Sequence, residues 1–154
     1  MKTKLGGLRV VRAKPSNILD CYDIYKRAWK EGSILPALSE AQQKDYYWTL
    51  LNELADTGHV VLLLQRGAKF YGMLHAIVLP TPLGHKSSMV VKMIYVLDSK
   101  RKRGGGKLLI DELVFLSGRF DIKKFEFMCS DEMVEYWGKK RKAVKVANYM
   151  TFEV

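Results

Sequence analysis

Long apolar runs are missing from this 154-residue chain. No stretch approaches the ~20 residues that a bilayer-spanning helix needs, which argues against a helical membrane protein. An apolar segment is also lacking behind Lys2 and Lys4, so the first residues do not read as a secretory signal, and a cytoplasmic location is expected. Cysteine is scarce: Cys21 and Cys129 stand far apart and share no metal-ligand spacing with the scattered His59, His75 and His85. No metal is therefore expected, and both cysteines read as small buried apolar residues. Repeats, linkers and low-complexity segments are absent. Acidic residues are outnumbered 16 to 26 by basic ones, and the net charge of +10 favours a polyanionic partner without choosing which. With 48% hydrophobic and 27% charged residues, the chain has the composition of one folded domain, 1–154.

The apolar pattern divides the chain into short elements. Leu8 to Ala13 alternates as a first strand closed by Lys14-Pro15. Ser16 or Asn17 is placed to cap a helix whose Ile18, Tyr22, Tyr25 and Trp29 share a face, and Gly32 and Pro36 end it. Ser39 with Gln42 three residues on is a capping-box signature for a second helix, with Tyr47, Leu50, Leu51 and Leu54 as its apolar stripe. His59 to Gln65 and Phe70 to Leu79 read as a hairpin about the Gly67-Ala68 turn. Strands are expected at Met89 to Val96, Lys124 to Met128, Val144 to Ala147 and Tyr149 to Val154, with a short helix over Asp131 to Lys139.

The most informative stretch joins the Met89–Val96 strand to a helix carrying Leu109, Leu113 and Leu116 on one face. Between them lies Asp98-Ser99-Lys100-Arg101-Lys102-Arg103-Gly104-Gly105-Gly106-Lys107. Glycines let the backbone approach a pyrophosphate closely, and the opening amides of the helix point at the anion. Lys100, Arg101, Lys102, Arg103 and Lys107 add positive charge. A P-loop would need Ser or Thr after Lys107, where Leu108 stands. A dinucleotide fingerprint needs a different glycine spacing near the start of a βαβ unit.

Arg101, Gly104 and Gly106 fill the pattern Arg-x-x-Gly-x-Gly, five residues beyond Val96. This resembles the acyl-CoA signature of the GNAT family of N-acetyltransferases, and the element order β-α-α-β-β-β-α-β-α-β-β resembles that fold along essentially the whole chain. The resemblance implies an α/β fold, a mixed central sheet with helices on both faces, and an enzyme that transfers acetyl from acetyl-CoA directly to an amine through a tetrahedral intermediate. Matched position by position, it places Arg101, Lys102, Arg103, Gly104, Gly105, Gly106 and Lys107 around the CoA pyrophosphate. It sets the backbone of Ile94, Tyr95 and Val96 along the pantetheine arm.

The acid for the leaving thiolate falls by the same resemblance in Glu135-Tyr136-Trp137-Gly138. The closest register puts Trp137 where a tyrosine usually stands, and no Gly-Phe turn follows, so Tyr136 is the candidate from a shifted helix. His75, Glu126, Asp98 and Glu31 are candidate bases, each with a structural or solvated reading beside it, and a water relay is the alternative. The acceptor is expected at the first two helices and their loop, with Trp29 and Glu31 as the pocket residues and an amine on an apolar or planar group as the favoured class. A second basic cluster, Lys139, Lys140, Arg141, Lys142 and Lys145, reads as a solvated face or, if it shares a face with the first, as a nucleic-acid surface. The rival function is a nucleic-acid-binding or nucleic-acid-modifying protein on the same scaffold. The final strand, ending at Val154, is an edge through which a second copy could pair.

Overall fold

The computed structural model describes residues 6–32, 39–56, 58–79, 88–101, 103–127, 135, 137–139 and 141. Its elements are β1 (Arg9–Arg12), α1 (Pro15–Ile18), a 3-10 turn (Leu19–Cys21), α2 (Tyr22–Gly32), α3 (Glu40–Glu53), β2 (His59–Arg66), β3 (Lys69–Leu79), β4 (Ser88–Val96), α4 (Asp98–Arg101), α5 (Gly105–Gly118) and β5 (Lys124–Phe127). The strands form one sheet in the order β1-β2-β3-β4-β5. The first four are antiparallel neighbours, and β5 joins β4 in parallel through the α5 crossover. The expected mixed sheet is therefore present. Tyr136, the strands expected within 144–154 and most of the helix expected over Asp131 to Lys139 lie outside the described residues.

Each face of the sheet carries its own core. On one face Leu62, Leu64, Leu74, Met89 and Val96 pack under Leu108, Leu109 and Leu113 of α5. On the other, Val61, Leu63, Met73 and Tyr95 pack under Ile18, Tyr25, Tyr47 and Leu50 of α1 to α3. Strands buried on both faces explain why β2 reads as a continuous apolar run rather than an alternation.

One irregularity sets the direction of the side chains near the end of β4. His75 pairs with Met93 and Ala76 with Val91, which leaves Lys92 without an opposite residue on β3. This bulge reverses the alternation: Met89 and Val91 face α5 before it, and Ile94 and Val96 face α5 after it. Met93 and Tyr95 consequently turn toward α1 to α3.

Helix boundaries follow local chemistry with one correction. The Ser39 hydroxyl accepts from Gln42 N, and Gln42 Oε1 accepts from Ser39 N at 2.9 Å, so the expected capping box is formed. The first helix is capped at Lys14 rather than at Ser16 or Asn17. Pro15 takes the first helical position, where its missing N–H is not needed, and Asn17 Oδ1 accepts from Lys14 N at 2.7 Å.

Candidate active site at the end of strand β4

Strand β4 ends beneath a tight turn. Leu97 N donates to Tyr71 O at 2.8 Å, which fixes the end of the strand to β3. The single turn of α4 follows, and Gly104 then caps α5 with φ 78° and ψ 13°, a left-handed conformation in which glycine is unstrained. Leu108 N donates to Gly104 O at 3.0 Å, the first backbone bond of α5. The amides of Gly105, Gly106 and Lys107 before it therefore open the helix without intrahelical acceptors, at the positive end of a 14-residue dipole.

The three consecutive glycines have three different roles. Gly104 permits the left-handed cap. Gly105 is buried, and a Cβ there would lie 2.8 Å from Leu64 Cδ2, 3.0 Å from Val96 Cγ1 and 3.2 Å from Lys100 O. That glycine lets α5 sit directly on β2 and β4. A Cβ on Gly106 would meet nothing within 4 Å, so the turn is open on that side. The turn has amides without intrahelical acceptors, the dipole and the open side over Gly106 that suit a pyrophosphate.

The surrounding cations are differently disposed than their spacing suggests. Lys100 is buried, with its ammonium 5.0 Å from the centroid of the Tyr71 ring, and so serves the core rather than the turn. Lys107 is ion-paired with Asp111 one helical turn on, and Arg141 binds the other oxygen of the same carboxylate. Burial raises the affinity of Asp111 for a proton, but the hydrogen bonds and charges of Lys107 and Arg141 outweigh it and hold the carboxyl below its ordinary range. Arg103 is exposed beside Gly104. The side chain of Arg101 and all of Lys102 lie outside the described residues.

On the opposite face of the sheet the structure joins two residues that sequence reasoning named for separate reasons. The Tyr95 hydroxyl donates to Glu31 Oε2 at 2.6 Å, bridging β4 and the end of α2. The β4 bulge makes this possible, because with Lys92 held in regular alternation the Tyr95 ring would point toward α5. Gly72 opposes Val96 on β3, and a Cβ there would stand 2.8 Å from Tyr95 O. The close β3–β4 contact at this point thus depends on glycine. Trp29 belongs to α2, but its side chain is outside the described residues.

The other candidate bases are engaged elsewhere. Glu126 accepts from Lys124 at 2.7 Å, and the Lys124 hydrogen bond and charge, with a hydrogen bond from Ser88, hold its carboxyl below the usual range. Burial, then the positive charge of Lys92 and the neighbouring His59, push the imidazole of His75 down to about 3, so it is neutral at physiological pH. Two of the three histidines that look scattered in sequence, His59 and His75, meet in space, and His85 lies outside the described residues. His59 Nδ1 lies 3.1 Å from His75 Nε2, and Glu53 Oε2 is 3.4 Å from His59 Nδ1. Asp98 opens α4. Trp137 packs edge-on against Phe127 of β5, with ring centroids 5.2 Å apart.

Comparison of the sequence with protein-family models and with curated proteins finds no match. Solved structures do match along the whole chain. A predicted acetyltransferase from Clostridium acetobutylicum, solved with acetyl-CoA, is 16% identical, covers 95% of this chain and 96% of its own, and superposes with a TM-score of 0.77. An aminoglycoside acetyltransferase from an uncultured soil metagenomic sample, solved with sisomicin, is 12% identical with a TM-score of 0.74, covering 96% of this chain and 97% of its own. A GNAT family acetyltransferase of Staphylococcus aureus is 14% identical with a TM-score of 0.71, covering 96% and 99%. This chain therefore has the GNAT acetyltransferase fold, as the order of its elements and the Arg101-x-x-Gly104-x-Gly106 turn lead one to expect.

Proposed function

We propose that this protein is an N-acetyltransferase that moves an acetyl group from acetyl-CoA to an amine. The observation that carries the reading is the opening turn of α5: amides without intrahelical acceptors at Gly105, Gly106 and Lys107, with open space over Gly106, set at the end of β4. That is a cradle for the coenzyme pyrophosphate. Acetyl-CoA, present in the structure of the Clostridium relative, supplies the thioester. Ile94, Tyr95 and Val96 run from the bulge toward this cradle, and their backbone is the edge along which the pantetheine arm would lie.

Arg101, Lys102 and Arg103 are the residues proposed to add positive charge for the pyrophosphate, with Lys107 contributing chiefly its amide because its ammonium is held by Asp111. Of the four candidate bases, Glu31 is the one we assign to the acceptor amine. The Tyr95 hydroxyl fixes its carboxylate at the end of α2, and it remains exposed to water, so it can take the amine proton directly or through one water. Trp29 is the residue proposed to line the acceptor pocket with it, and Tyr136 is the residue proposed to protonate the departing thiolate. The relatives solved with sisomicin and with trehalose make polyhydroxylated amines a sensible first acceptor class to screen beside aromatic amines.

Nucleic acid is the less favoured partner. Among the described residues of the second basic cluster, Lys139 is paired with Glu135 and Arg141 with Asp111, which reduces the charge left for phosphates. The deciding experiment is acetyl-CoA calorimetry on nucleic-acid-free protein, followed by thiol release with an amine panel that includes aminoglycosides. Micromolar binding at two salt concentrations and acceptor-dependent thiol release would support the reading. A protein that binds no acetyl-CoA but is retained on a nucleic-acid column in a salt-sensitive way would replace it with the rival function.

A further inference from the structure

A second cluster of functional side chains lies on the α1 to α3 face of the sheet, away from the glycine turn. Glu53 is the last residue of α3, His59 the first of β2, and His75 stands near the middle of β3. The register pairs His59 with Ile77 and His75 with Val61, so the two histidines are diagonal neighbours on one face. The turn between α3 and β2 is fixed by Gly58 N donating to Asp56 Oδ1 at 2.8 Å and His59 N donating to Asp56 O at 3.2 Å. It folds the Glu53 carboxylate back over His59.

Three ligand atoms meet there. His59 Nδ1 and His75 Nε2 are 3.1 Å apart, Glu53 Oε2 is 3.4 Å from the first and 4.0 Å from the second. A single proton shared between the histidines satisfies one of these three contacts. The carboxylate meanwhile sits at the C-terminal end of α3, where the helix dipole disfavours negative charge and the last turn has no basic residue. Among the described residues Lys92 is the cation that acts on His75, and it stands on the bulge rather than within the triangle.

We propose that Glu53, His59 and His75 form a site for a divalent cation of the zinc type. Four ligands about 2.0–2.2 Å from such an ion lie about 3.3–3.6 Å from one another, and the three observed separations bracket that range. Two imidazole nitrogens and one carboxylate oxygen suit zinc or cobalt rather than magnesium or calcium. Three protein ligands leave a fourth position, which opens on the Glu53 side, where the carboxylate is 32% exposed. A cation there would fasten the end of α3 to β2 and β3, one strand pair along from the Tyr95–Met73 pair.

The test is a Co²⁺ titration of the full chain, without an oligohistidine tag and freed of metal by chelation, followed by visible absorption with Zn²⁺ as competitor. The expected result is one equivalent bound with the intense visible band of tetrahedral cobalt, displaced by Zn²⁺. Glu53→Gln and His59→Ala, both at part-exposed positions, should each weaken binding at least as much as the 10–100-fold that outer-shell changes cost. Circular dichroism and melting of the metal-free variants verify that they remain folded. No visible band in the parent protein, or a band equally strong in both folded variants, would overturn the site.

Discussion

Two adjacent glycines should respond oppositely to the same methyl group. In Gly105→Ala the new Cβ would stand 2.8 Å from Leu64 Cδ2 and 3.0 Å from Val96 Cγ1, both in the core beneath α5. The 3.2 Å approach to Lys100 O removes the option of sliding toward the turn, since that neighbour is backbone. Overpacking of this kind costs about 1–3 kcal/mol, while alanine's better helix propensity returns at most about 1 kcal/mol in an interior position and less in the first turn. A net loss of about 1–2 kcal/mol lowers the melting temperature by roughly 2–8 °C in a chain of this size. Gly106→Ala meets nothing within 4 Å and should melt at or slightly above the parent. Its methyl group would nevertheless occupy the space over the opening amides, so acetyl-CoA affinity should fall at least about tenfold, the equivalent of ~1.4 kcal/mol. Thermal melts and calorimetry on the two variants separate the effects. Equal melting temperatures for Gly105→Ala and the parent would refute the packing argument, and undiminished coenzyme affinity in Gly106→Ala would move the pyrophosphate away from this turn.

Other positions give independent checks. Gly104→Ala places a side chain at φ 78° and should cost about 1–2 kcal/mol in urea denaturation. Tyr95→Phe removes the 2.6 Å hydrogen bond to Glu31 and should lower turnover with amine far more than acetyl-CoA affinity; an unchanged rate would dissociate Glu31 from proton transfer. Asp111→Asn should destabilise the protein by about 1–2 kcal/mol at pH 7. Because the folded carboxyl titrates below its ordinary 3.8, the contribution is fully present above that value and disappears as pH falls through the lower folded value. Parent and variant should therefore differ at pH 7 and converge only as pH falls below the lowered folded value, as denaturation curves along an acid pH series would reveal.

Elements with a strong period were legible before the structure. The capping box of α3, the β2–β3 hairpin and the strand-turn-helix around Gly104 all announce themselves through residues adjacent in sequence. The first helix was less so: its apolar stripe from Ile18 through Tyr25 is real, yet a 3-10 turn at Leu19–Cys21 divides it and the cap lies at Lys14. A lysine is a poor cap by side-chain chemistry, and its selection comes from Pro15 and Asn17 after it. The roles of the basic residues were the least legible. Nothing in the spacing of Lys100 says that it will fold over Tyr71, and nothing near Lys107 says that Arg141 will share its carboxylate. The meeting of His59 with His75 is a matter of register, and a shift of one residue in β2 against β3 would place them on opposite faces.

The same dependence on register explains how a single short strand serves two faces. Tyr95 contributes backbone on the side of the proposed pantetheine path and a hydroxyl on the side of the proposed acceptor, while Val96 next to it closes the core under Gly105. Alternation alone would give Tyr95 the same face as Met89 and Val91, beneath α5, where its hydroxyl could not reach α2. The extra residue at Lys92 reverses the phase between Val91 and Met93, after the part of β4 that β5 pairs with and before the part that leads to the turn. An exposed, charged residue in the middle of a strand reads in sequence as a defect in an apolar run. In the fold the bulge absorbs it, which keeps Tyr95 aimed at Glu31. Deleting Lys92 should therefore close the bulge with Met93 directly after Val91, leaving Tyr95 toward α2 and Val96 toward α5, so that acetyl-CoA binding and acetyl transfer both survive; loss of transfer alone would refute this account of the bulge.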